Sequence, residues 1–218
     1  RRTAATSPHR HQAGGLHTLY ISPLKALAVD IARNLETPIR EMALPIRVET
    51  RTGDTPASKR QRQRRDPPDI LLTNYVMLEL LLTRHHEQKL IGAARDLRFL
   101  VLDELHLYRG TAGTEVAYLL RLLLNRLDLS PNHPKLRILA SSASLPVTGP
   151  RAEESLRYLG DMFGSAGLHR SGEKKGPNLA AYCGDRFRGG GYQGLAVLRR
   201  DHRKGILCED FDSPTRRG

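Results

Sequence analysis

The stretch "LRFLVLDELHLYRG", residues 97–110, decides how this chain is read. Five apolar residues, interrupted once by Arg98, lead straight into Asp103 and Glu104, and His106 follows two positions later. On these residues alone two readings stand open. An aspartate after a strand, with acidic neighbours, is a common N-cap with a favourable first helical turn. Alternatively, an aspartate at the carboxyl end of a buried strand can hold a magnesium ion beside nucleotide phosphates, while the next carboxylate orients a water for attack.

The segments around it set the fold class. Short apolar runs read as strands at "LHTLYIS" (16–22), "PIRVET" (45–50), "DILLT" (69–73), "LRFLVLD" (97–103) and "KLRILASS" (135–142). Helical periodicity fills the intervals at 24–42, 75–84 and 113–127; in the last, Val116, Leu119, Leu120, Leu123, Leu124 and Leu127 recur at spacings of three and four. Strands that are apolar on both faces and alternate with helices predict an α/β fold, a mainly parallel sheet covered on both sides. Right-handed crossovers then bring ligands to the carboxyl ends of the strands, where "DELH" falls. Residues 1–15 read as an irregular N-terminal segment and 16–165 as the domain. Residues 166–218 read as a basic, Gly-rich tail without sustained period, in which "LAVLRR" (195–200) is a candidate short strand.

Composition narrows the class of function. The 218 residues carry a net charge of +12, with a basic excess on both sides of residue 165. That excess suits a polyanionic partner such as nucleic acid, and equally an arginine-rich soluble protein. No apolar run is long enough to span a membrane, and "RRTAATSPHRHQAGG" lacks the apolar stretch of a signal peptide. The two cysteines, Cys183 and Cys208, form no CxxC pair, so a disulfide framework or structural zinc site is not expected and a cytoplasmic setting is.

Asp103-Glu104-Leu105-His106 resembles motif II of the superfamily-two DExH-box (DEAD/DEAH-type) helicases, and three further matches follow the family's order. "YISPLKALAVD" (20–30) is similar to motif Ia. "RTGDTPASKRQRQRRDPPDILLTNYVMLELLL" (51–82) is similar to the two motifs after it, a Gly-Asp-Thr turn and a strand ending Leu-Thr-Asn. "ILASSASL" (138–145) stands where the family has Ser-Ala-Thr. "LYRG" (107–110) resembles the Lhr-like and MrfA-like branch, which acts in DNA repair and defence. The resemblance covers residues 16–163 and implies a partial first RecA-like domain that uses ATP and Mg2+. It implies that Asp103 coordinates the metal and Glu104 is the hydrolytic base. His106 and Ser142-Ala143-Ser144 would couple nucleotide state to strand binding, with Ser144 keeping the hydroxyl of the usual threonine. Pro23, Leu24, Lys25, Gly53, Asp54, Thr73 and Asn74 would line the track of one nucleic-acid strand, DNA first and RNA as the other candidate.

The family pattern is also incomplete here. No G-x-x-x-x-G-K-[ST] phosphate loop occurs, and no pattern of a second RecA-like domain follows. The chain is expected to be a helicase fragment spanning motifs Ia to III, inactive in isolation, or a non-catalytic nucleic-acid-binding remnant of such a domain. The basic run "SKRQRQRRDPP" (58–68) keeps two readings, phosphate contact or a solvated helix or loop face, and His85-His86 reads as loop surface.

Overall fold

The computed structural model describes residues 15–131, 133, 135–142, 150–164, 180–182 and 195–198. Five parallel strands form its centre: β1 (Thr18–Ser22), β2 (Val48–Arg51), β3 (Ile70–Asn74), β4 (Phe99–Leu102) and β5 (Arg137–Ser141). Each falls within or overlaps a run expected to be extended. Two antiparallel strands, β6 (Ala180–Tyr182) and β7 (Leu195–Leu198), add to the β5 edge, so the sheet runs β2-β3-β1-β4-β5-β7-β6. β1, first in the described sequence, is central, paired with β3 on one side and β4 on the other.

The strands alternate their side chains between two layers. Tyr20, Val48, Ile70 and Leu72 face α1 (Lys25–Glu41), packing with Ala28, Ile31 and Ala32. Leu19, Ile21, Leu71, Leu100, Leu102, Ile138 and Ala140 face the other way into a larger core with α3 (Tyr75–Thr83), α4 (Gln88–Gly92), α5 (Gly110–Arg126) and α6 (Ala152–Phe163). In α5, Val116, Leu120, Leu123 and Leu124 are buried, as their spacing predicts. α6 was not among the expected elements; Ser155, Leu159, Met162 and Phe163 give it a buried face, and Gly164 ends it in the left-handed conformation.

The basic run forms α2 (Ala57–Arg65), which buries Gln63 and no apolar side chain. Its arginines are neither simply solvated nor simply free for phosphate. Arg62 reaches Glu49 at 2.8 Å, Arg64 reaches Glu87 at 3.2 Å, and Arg60 donates to backbone carbonyls of the preceding loop. His85 and His86 lie in a 3-10 turn (His85–Glu87), with His86 exposed and 3.4 Å from the Glu87 carboxylate.

Candidate functional site

Because the five central strands are parallel, their carboxyl ends share one edge, and every described candidate residue lies on that rim. From the outer side inward, β2 leads to Gly53 and Asp54, β3 to Thr73 and Asn74, and β1 to Pro23, Leu24 and Lys25. β4 then leads to Asp103, Glu104 and His106, and β5 to Ser142. Ala143 and Ser144 lie outside the described residues.

The carboxylate pair caps no helix. The 3-10 turn Leu105–Leu107 and helix α5 both start without a side-chain cap, α5 from Arg109. Asp103 continues the sheet, its N–H donating to the Ile21 carbonyl at 2.9 Å, and its side chain is 3% exposed. Its Oδ1 accepts from the Ser141 hydroxyl, and the same Ser141 oxygen accepts from the Glu104 N–H at 3.0 Å. Glu104 turns the chain sharply, with φ 53° and ψ 49°, a conformation that costs a non-glycine residue about 1 kcal/mol or more. That kink separates the two carboxylates: Asp103 stays tied to β5, while Glu104 Oε2 comes to 3.0 Å from His106 Nδ1.

Ser141 is the residue that sequence reasoning missed. The register pairs Leu102 with Ala140, and one step further sets Asp103 beside Ser141. The signal was the Ser141-Ser142 doublet at the end of a strand; only the register decides which hydroxyl faces the carboxylate. Ser142 is itself buried.

Tyr108 closes the site from behind. Its ring meets Tyr75 edge-to-face at 6.1 Å, and its carbonyl accepts from the Tyr158 hydroxyl at 2.6 Å. Burial raises the pKa of its hydroxyl, and the Asp103 and Glu104 carboxylates add to the effect, so it stays neutral. Gly113 permits this packing, since a Cβ there would overlap the Tyr108 carbonyl oxygen.

On the other half of the rim, Lys25 opens α1 and pairs with Asp54 at 2.7 Å, both exposed. Thr73 is fully buried and donates its hydroxyl to the Arg51 carbonyl at 2.7 Å, supporting the rim from beneath. Asn74 caps α3, accepting from the Met77 N–H at 2.8 Å. Between α1 and the start of α2 lies a groove of about 480 Å³, lined by Lys25, Arg33, Thr52, Asp54, Thr55 and Lys59 among others. Among the described residues no three His, Cys, Asp or Glu side chains cluster as metal ligands, and no helix is long and apolar enough to cross a membrane.

A parallel α/β sheet with an Asp and a Glu at the end of a central strand, and the other candidate residues along the same edge, is the arrangement of a RecA-like α/β fold. The profile of the family described as DEAD/DEAH box helicase matches residues 3–151, and the chain belongs to that family. It is 37% identical over 162 residues to the Lhr helicase/probable uracil glycosylase of Mycolicibacterium smegmatis, covering 70% of this chain and 10% of that protein. It is 33% identical over 143 residues to the ATP-dependent helicase Lhr-Core of Methanocaldococcus jannaschii, 61% of this chain and 16% of the relative. Among solved structures, Mycobacterium smegmatis Lhr bound to single-stranded DNA and AMP-PNP aligns with TM-score 0.52 and 34% identity, covering 67% of this chain and 19% of that one. The DUF1998 helicase MrfA bound to DNA aligns with TM-score 0.57 and 31% identity, 68% of this chain and 18% of that one. The chain thus spans a small part of the length of these relatives.

Proposed function

We propose that this chain is part of an ATP-driven nucleic-acid motor, with DNA as its strand and DNA repair or phage defence in the cytoplasm as its setting. The observation that carries the proposal is the single continuous rim. Its outer half offers Pro23–Lys25, Gly53–Asp54 and Asn74 to one strand, with the buried Thr73 bracing the rim beneath them. Its inner half holds Asp103 and Glu104, and β1 and β4 are neighbours across the join. Turn amides and helix starts grip phosphates without reading bases, so binding along the outer half is expected to be indifferent to sequence.

At the inner half, Asp103 keeps one carboxylate oxygen beyond the Ser141 bond. A single carboxylate suits magnesium, which takes most of its other ligands from water and substrate phosphates. Asp103 would hold the ion, which supplies charge neutralisation for the phosphates. Glu104, kinked away from Asp103, would accept the proton of the attacking water. His106 beside Glu104, and Ser142 and Ser144, which follow in sequence the β5 serine bonded to Asp103, would pass the state of the site to the strand track. The 218 residues contain no G-x-x-x-x-G-K-[ST] loop, whose amides and lysine give such enzymes most of their grip on β- and γ-phosphates. The chain by itself is therefore expected to hydrolyse ATP little or not at all.

Two measurements test this. Fluorescence anisotropy with single-stranded DNA is expected to give salt-dependent binding that weakens in Lys25→Ala; no binding at low salt would sink the strand-track reading. Robust DNA-stimulated ATP hydrolysis by the chain, abolished in Glu104→Gln, would overturn the expected inactivity while supporting the role of Glu104. A second reading is a nucleic-acid-binding remnant without turnover. An in-frame phosphate loop in the genomic sequence upstream of Arg1 would exclude the remnant, and a stop codon there would favour it.

A further inference from the structure

Polar bonds hold α2 to the sheet edge, and they converge on Arg51. Arg51 ends β2 and is fully buried. Its guanidinium donates to Gln63 Oε1 at 2.9 Å, to the Arg60 carbonyl at 3.1 Å and to Glu87 Oε1. Gln63 in turn donates to Glu49 Oε2 at 2.8 Å and to the Thr50 carbonyl at 3.1 Å. Glu87, 4% exposed in the turn after α3, takes a second contact from Arg64 at 3.2 Å. Burial works against the Arg51 charge, and Glu87 works for it.

The network reaches the rim at both ends of one loop. At the start, the Arg51 carbonyl accepts the Thr73 hydroxyl, and Thr52 follows with its N–H donating to Thr55 Oγ1 at 2.8 Å. At the other end, Arg60 of α2 donates to the Gly53 carbonyl at 2.6 Å and to the Thr55 carbonyl at 2.7 Å. The loop that presents Gly53 and Asp54 is thus strapped between a buried arginine and a helix which that arginine holds. Neither Arg51 nor Glu87 lines the groove.

We infer that the Arg51–Glu87 pair is a positioning device for nucleic-acid binding: it fixes α2, and through Arg60 and Lys59 of α2 sets where the loop's backbone donors and the groove's cations meet a strand. The inference rests on the strand-track reading above. Directional bonds suit this task, because hydrogen bonds weaken steeply with misalignment whereas the hydrophobic effect is non-directional.

The test compares the 218-residue chain with Glu87→Gln, Lys25→Ala and Gln63→Met, using fluorescein-labelled single-stranded oligothymidylate across a salt series and amide hydrogen exchange without nucleic acid. In Glu87→Gln, exchange is expected to rise in residues 53–65 and to hold in β1, β3 and β4. Affinity is expected to fall about tenfold, the scale of one charge-assisted hydrogen bond, with an unchanged salt slope because no phosphate-contacting cation is lost. Lys25→Ala instead flattens the slope by about one. Should Glu87→Gln fail to fold, Gln63→Met loosens α2 by removing its bonds to Arg51 and Glu49 at similar volume, and the double variant Arg51→Met with Glu87→Met removes the pair itself without leaving a buried charge. Faster exchange in α2 with wild-type affinity would reduce the pair to a structural role, and unchanged exchange would overturn the clamp itself. Failure of the wild-type chain to bind the oligonucleotide would overturn the strand-track reading, an outcome separate from the exchange result.

Discussion

Helices α2 and α5 are attached to the same sheet by opposite means. α5 is held by Val116, Leu120, Leu123 and Leu124, a stripe of buried apolar side chains. α2, with the sequence ASKRQRQRR, buries only Gln63 and hangs on hydrogen bonds to Arg51, Glu49 and Glu87. Apolar packing is legible in the sequence as a period. A polar attachment is directional, and its partners sit far along the chain. The loop that carries Gly53 and Asp54 is tied to the helix that is itself held by bonds.

Substitutions can break this contrast, and chemical denaturation reads each one. The largest effect is expected for Leu120→Ala, which empties a fully buried position of α5 and costs about 4 kcal/mol. Arg51→Met leaves the Glu87 carboxylate buried without its main partner and costs about 3 kcal/mol, at the lower end for a broken buried pair because Arg64 remains. If α2 is attached by that pair, replacing both residues, Arg51→Met with Glu87→Met, recovers stability to within about 1 kcal/mol of wild type. A double variant as unstable as the single one would show that the other bonds of Arg51 matter more. Asn74→Ala removes the α3 cap and costs about 1 kcal/mol. Asp54→Ala, breaking an exposed ion pair with Lys25, changes stability by less than about 0.5 kcal/mol.

The motif II pair shows how far one dimension carries. Its place at the end of a buried strand was readable, because β4 is an apolar run that ends in charge. On these residues alone its chemistry stands open between cap and carboxylate pair, and the neighbouring motifs favour the pair; the uncapped turn at Glu104 and the Ser141 bond to Asp103 agree, since the pair caps no helix. α6 was legible and passed over, since Leu156, Leu159, Met162 and Phe163 recur at helical spacing. α2 escaped a single reading because a run of arginines looks the same whether its partners are water, phosphate or Glu49 and Glu87.

What the sequence by itself determined was the alternation of five strands with helices, the two-sided burial of the sheet and the position of the candidate residues at strand ends. Those follow from hydrophobic periodicity, which records burial along the chain. Tertiary structure alone decided that β1 lies between β3 and β4, joining the two halves of the rim. It also decided that Ser141 reaches Asp103 across 38 positions and Arg51 reaches Glu87 across 36. Burial is a property each residue carries in its own side chain, whereas a hydrogen-bond partner exists only once the fold has brought it within reach.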